Sequence, residues 1–250
     1  MFTTIFYQPV LNLLIFFYNI IPGHDIALAI IGLTILTKAI LWPLSAKSIK
    51  SQKSLQTLQP KIDALKAKYP KPEDREQMTK EMMAMYKEEK INPFSSCLPL
   101  LVQLPFFWAI FRVFRDELTG KASGLVYPFV YNPGPLNPLA FGLLDFSKPN
   151  IVLAILAGIA QFVQAKMLMS KKPAVQGEAS KDESMAAIMN KQMTYIFPVM
   201  TVFICLTMPS GLSFYWFLTT VVTILQQALT FKKKDDDNFQ TKVIEGKVIN

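Results

Sequence analysis

Ile26-Ala27-Leu28-Ala29-Ile30-Ile31-Gly32-Leu33-Thr34-Ile35-Leu36-Thr37-Lys38-Ala39-Ile40-Leu41-Trp42-Pro43-Leu44 is the stretch on which the fold turns. It is long and apolar enough for a membrane-spanning helix, yet it carries Lys38 in its interior. An ammonium at membrane depth costs roughly 2.5–3.5 kcal/mol on insertion scales, so a chain that keeps one either uses it or hides it. Thr34 at i−4 and Ser45 at i+7 extend from Lys38 as a thin polar stripe on a greasy rod. Leu44 follows Lys38 by about 9 Å of helix rise, and a flexible lysine stem can lift its charge to the nearer interface. The other reading is a charge that faces a wet cavity between helices. This helix alone leaves both open.

Working outward, the chain is 51% hydrophobic and has 26 basic residues against 18 acidic ones. Apolar and charged residues fall in separate blocks, the pattern of a polytopic membrane protein rather than a soluble globule. The first 23 residues hold no basic residue, so no cleaved secretory signal is expected. Cys97 and Cys205 are the only cysteines. They fall near opposite faces in the topology below, so no disulfide joins them, and neither has metal-ligand company. His24 is the single histidine. Neither a metal site nor His-based catalysis is expected, and no cofactor is implied.

Five spanning segments of suitable length are expected: 25–44, 94–114, 149–169, 193–208 and 211–231. Pro209-Ser210-Gly211 leaves the last two no choice but a tight antiparallel hairpin. Residues 1–24 are also apolar but contain Pro9, Asn12 and Asn19, which suits an amphipathic helix lying in the interface better than a sixth span. Charge asymmetry orients the bundle. Basic residues crowd 45–93 from Lys47 to Lys90, recur at Lys171, Lys172, Lys181 and Lys191 in 170–192, and follow the last span as Lys232-Lys233-Lys234. Few occur in the 115–148 loop. The N-terminus is therefore expected outside and the C-terminus in the cytoplasm. The expected fold is all-α: a five-transmembrane-helix bundle, a cytoplasmic helical hairpin and an N-terminal interfacial helix. The 115–148 loop is rich in proline and glycine and reads as irregular, and the 232–250 tail reads as disordered.

Within 45–93, Leu55, Leu58, Ile62, Leu65 and Tyr69 follow a 3-4-3-4 spacing, the stripe of a helix that packs on another helix. Pro60 is expected to kink or restart that helix. Glu73-Asp74-Arg75-Glu76 opens a second helix with acid residues in its first turn, and Met78, Met82 and Met85 line its apolar face. The resulting basic hairpin is either a solvated, orientation-setting loop or a docking surface for anionic lipid heads, the ribosome or an incoming chain. Its candidate contact residues are Lys61, Lys66, Lys68, Lys71 and Arg75.

Other spans repeat the theme of Lys38. Gln103 lies within the second, and Gln161 and Gln164 share one face of the third. Trp216, Thr219, Thr220, Thr223, Gln226 and Gln227 make a broad polar face on the fifth. Such groups can simply join helices by hydrogen bonds, at about 0.6 kcal/mol each. Together with a lysine they also suit a shared polar cavity. Apart from Asp25 at the very end of the first, the spans carry no carboxylate to relay protons or bind sodium, which counts against a coupled transporter. A small-solute channel or secondary transporter is the alternative reading.

Several segments then converge. Thr34 through Leu44, Leu58-Gln59-Pro60-Lys61 with Lys68-Tyr69, Asn92 through Pro99 with Gln103-Leu104-Pro105, Phe197-Pro198-Val199-Met200, and Pro209 through Trp216 with Gln226-Gln227 resemble the YidC/Oxa/Alb membrane-protein insertases. The likeness runs over 2–231 in the right order. It implies a five-helix core around a hydrophilic groove that is open to the cytoplasm and to lipid and closed to the outside. That family usually places arginine where this chain has Lys38, so the charge survives without the bidentate fork. By position, Tyr215 and Trp216 match groove-lining aromatics of the last helix.

The resemblance implies a non-catalytic insertase with no catalytic residues, in a compact form, working in a bacterial plasma membrane. Lys38, Thr34, Gln103, Gln161, Gln164, Tyr215, Trp216, Thr219 and Thr220 are the expected groove residues. The implied partners are nascent membrane proteins, the ribosome, the Sec translocon and the lipid bilayer, with no specific nucleic-acid sequence. A functional monomer is expected.

Overall fold

The structure is a computed structural model that describes residues 1–89, 92, 98–117, 123–168 and 192–248. After a wide π-type turn at Thr3–Tyr7, α1 covers Gln8–Ile20, α2 Ile26–Lys68 and α3 Arg75–Glu88. Then come α4 (Leu98–Glu117), strands β1 (Leu139–Ala140) and β2 (Leu144–Asp145), α5 (Ile151–Leu168), α6 (Phe197–Thr207) and α7 (Ser210–Val248). Among the described residues, 26–65, 151–168 and 210–231 are helices long and apolar enough to cross a membrane, and 194–207 is a shorter apolar helix. The segments expected at 170–192 and at the start of the second span fall almost wholly outside the described residues.

Three differences from the expectations have local causes. First, α2 does not end near Leu44 or restart at Pro60; Pro43 and Pro60 both lie inside one helix. Each proline removes one intrahelical hydrogen bond, but uninterrupted helix continues for at least two turns on either side of each. Second, α7 continues to Val248, where the tail was expected to lack structure; no proline follows Pro209 to stop it. Third, the 115–148 loop is not wholly irregular. β1 and β2 pair antiparallel, Leu139 opposite Asp145 and Ala140 opposite Leu144, across a turn that puts Phe141 and Gly142 at positive φ.

The three long apolar helices begin beside this small β-hairpin. Asp25 caps α2, its Oδ1 accepting from the backbone N–H groups of Ala27 and Leu28, while Oδ2 accepts from Phe141 N–H. Asn150 caps α5 by accepting from Val152 and Leu153 N–H. At the start of α7, Ser210 N–H donates to Lys148 C=O and Gly211 N–H to Phe146 C=O. The helices α2, α5 and α7 thus leave one face in the same direction. Pairs 38–223 and 42–226 across α2 and α7 keep a parallel register.

Packing follows from side-chain size. Tyr7, Val10, Leu11, Leu14, Ile15 and Tyr18, spaced at threes and fours, are buried in one core with α2, α4 and the start of α7. The polar groups of α1 that suggest an interfacial helix bind the loop backbone instead of water. The Asn12 amide donates to Leu125 C=O and accepts from Tyr127 N–H. Asn19 donates to Tyr131 C=O, and the Tyr18 hydroxyl accepts from Asn137 N–H. A second small core joins Ala154 and Ala157 of α5 to Cys205 of α6, a seam of small residues that lets two helices approach closely.

Candidate functional site

Lys38 turns inward. Its Nζ donates to Thr223 Oγ1 at 2.9 Å, a contact between α2 and α7 that spans most of the chain. Beside it is a hollow of about 30 Å³ lined by Lys38, Leu41, Leu44, Ser45, Val102 and Gln103, room for about two water molecules. Lys38 lies about 18 Å along α2 from Ile26, beyond the middle of a hydrocarbon core about 30 Å thick.

The long helix α7 supplies one side of several polar pairs among the described residues. Gln103 of α4 donates to the Tyr215 hydroxyl at 2.7 Å. Trp216 Nε1 donates to Gln161 Oε1 of α5 at 3.3 Å, and its ring meets Phe107 of α4 edge-on at 4.9 Å. Gln226 donates to the Trp42 carbonyl of α2 at 3.3 Å. Tyr215, Thr220, Gln226 and Gln227 are buried, which places α7 at the centre of the bundle.

Not every expected residue takes part. The Thr34 hydroxyl is buried and donates to Ile30 C=O of its own helix, and Thr220 donates to Trp216 C=O in the same way. Such back-bonding uses the hydroxyl proton and leaves only lone pairs to accept. The Thr219 hydroxyl is buried, and its carbonyl accepts from Thr223. Gln164 is half-buried one turn beyond Gln161 and joins none of these pairs. The structure therefore forms two adjoining groups, Lys38–Thr223 with Gln103–Tyr215 and Gln161–Trp216, instead of one continuous stripe. Thr223 was visible on the polar face of the last span but nothing local marked it as the partner of Lys38. Ser45 likewise lines the hollow, as its place on the lysine stripe hinted.

The basic hairpin is partly neutralised from within. Lys61 pairs with Glu89 and Lys68 with Glu81, joining the far half of α2 to α3. The Tyr69 hydroxyl and then Lys68 hold the Glu81 carboxyl below the usual carboxylate range, and Glu89 raises the Lys61 ammonium above its ordinary value. These pairs are solvent-exposed and contribute little to stability. Lys71 and Arg75 are exposed at the turn; the side chain of Lys66 lies outside the described residues.

A family model described as 60Kd inner membrane protein matches residues 16–237. The chain is 34% identical over 235 residues to a membrane protein insertase YidC of Pelobacter propionicus, an alignment that covers 93% of this chain and 40% of that protein. With the protein of the same name from Chlamydia trachomatis it shares 33% identity over 234 residues, 92% of this chain and 28% of the other. The one from Fusobacterium nucleatum is 32% identical over 209 residues, 84% of this chain and 87% of its own length. This chain thus spans two fifths or less of the first two relatives and most of the third.

Proposed function

Because the chain belongs to the 60Kd inner membrane protein family, we propose that it is a membrane protein insertase of the bacterial plasma membrane, acting without catalytic turnover. The single observation that carries this reading is the Lys38 ammonium held between helices beside a polar hollow. A hydrophobic segment with a short polar flank arrives from the cytoplasm at the α2–α3 hairpin. Its flank, when acidic, is attracted by Lys38, and the low local dielectric strengthens that attraction. Gln103 and the α7 hydroxyls stand in for water, so the flank need not be fully desolvated. The apolar segment then moves along the exposed faces of α5 and α7, where Ile155, Ile159, Leu225 and Leu229 are exposed, and partitions into hydrocarbon, which drives the reaction.

The topology that suits this path has five spans, the N-terminus and β-hairpin outside, and the C-terminus in the cytoplasm. The parallel run of α2, α5 and α7 supports it, since first, third and fifth spans must point the same way. Nascent membrane proteins are the substrates. The ribosome and the Sec translocon are the partners to test, with the protein working as a monomer.

Reconstituted proteoliposomes test the charge step. Lys38→Ala is expected to lower insertion of acidic-tailed single-span substrates about tenfold, while Lys38→Arg keeps most activity. Equal activity of the Ala and Arg variants removes charge attraction from the mechanism.

A further inference from the structure

We infer that Thr223 is a positioning residue for Lys38: its hydroxyl holds the ammonium between α2 and α7 and keeps it from rising along its own helix to the cytoplasmic interface. This inference rests on the insertase reading and deepens it. A hydroxyl has one proton and two lone pairs. Thr223 spends its proton on the Thr219 carbonyl at 2.8 Å, so toward Lys38 it can only accept, and the 2.9 Å contact has that polarity. The β-branched side chain is stiff at χ1 in a helix, and the bond to Thr219 fixes which way the lone pair points. An ammonium has three N–H donors; Thr223 takes one, and the hollow lined by Ser45, Gln103 and the apolar Leu41, Leu44 and Val102 lies beside the others.

The alternative position of the charge is close. Lys38 stands about 9 Å of helix rise from Leu44, within reach of a snorkelling lysine stem. Without an acceptor on α7, the ammonium gains by moving toward water, and the site loses its charge at depth although the residue is still present. Gln226, which donates to the Trp42 carbonyl one turn further along the same two helices, keeps α2 and α7 in register. Removing the Thr223 hydroxyl should therefore move the ammonium without separating the helices.

The test uses the full chain in proteoliposomes, with two single-span substrates that differ only in an acidic or a neutral flank. The readout is the ratio of acidic-flank to neutral-flank insertion. Thr223→Val, which keeps shape and removes the acceptor, is expected to lower this ratio three- to tenfold, toward that of Lys38→Ala. Thr223→Ser restores it. In a Lys38→Ala background, Thr223→Val should cause no further fall. An unchanged ratio in Thr223→Val, failure of Ser to rescue, or a full additional loss in the double variant overturns the positioning role. A wild-type chain that inserts neither substrate overturns the insertase reading instead, so the two failures are distinguishable.

Discussion

At the face where α2, α5 and α7 begin, backbone groups are tied down by side chains drawn from distant segments: Asp25 to Phe141, Asn12 to Leu125 and Tyr127, Asn19 to Tyr131, Tyr18 to Asn137. Deeper in the bundle the connections are single side-chain pairs, Lys38–Thr223, Gln103–Tyr215 and Gln161–Trp216, with a hollow beside Lys38 and Gln103. The first arrangement leaves several backbone groups of the loop without partners if it opens, some of them part-buried, which is costly. The second can exchange one partner for another at little cost, because each pair is a few tenths of a kcal/mol to about 1 kcal/mol. One end of the bundle is tied by many long-range backbone contacts, and the other by a few exchangeable side-chain pairs.

The contrast can be broken by mutation. The largest effect on folding is expected from Asn12→Ala. It strands the Tyr127 N–H and the Leu125 carbonyl beneath α1, and should lower stability by about 2–3 kcal/mol, read as a fall in Tm in detergent. Asp25→Ala removes the α2 cap and the Phe141 tie together, with an expected loss of about 1–2 kcal/mol. The smallest change should come from Gln103→Leu, about 0.6 kcal/mol in the same assay, although the residue lies beside Lys38. A Gln103→Leu variant as unstable as Asn12→Ala would erase the distinction between a locked face and an exchangeable one. So would an Asn12→Ala variant with the Tm of the wild type.

Much of this organisation was legible in the residues because it is local. The 3-4 spacing of Leu58, Ile62 and Leu65 predicts a packed helix, and all three are buried. Residues 216, 219, 220, 223, 226 and 227 predict a polar face on the last helix, and several of them meet α2, α4 or α5 there. Less legible were the roles of Asn12 and Asn19. An amide in an apolar helix looks the same whether it faces water, headgroups or a loop more than a hundred residues away. Pro60 was misleading as a boundary, since proline weakens a helix locally but a long run on either side can carry it.

By itself, the amino-acid order determined which segments are helical, which of their faces are greasy or polar, and that a lysine falls inside an apolar run of spanning length, because these follow from periodicity and composition within a few turns. Only the tertiary structure decided that Lys38 points at Thr223, that Gln161 meets Trp216 while Gln164 does not, and that Asn12 holds the loop. Those choices depend on how helices are rotated and aligned against partners far away in the chain. Packing of whole faces sets that alignment, and no local pattern encodes it.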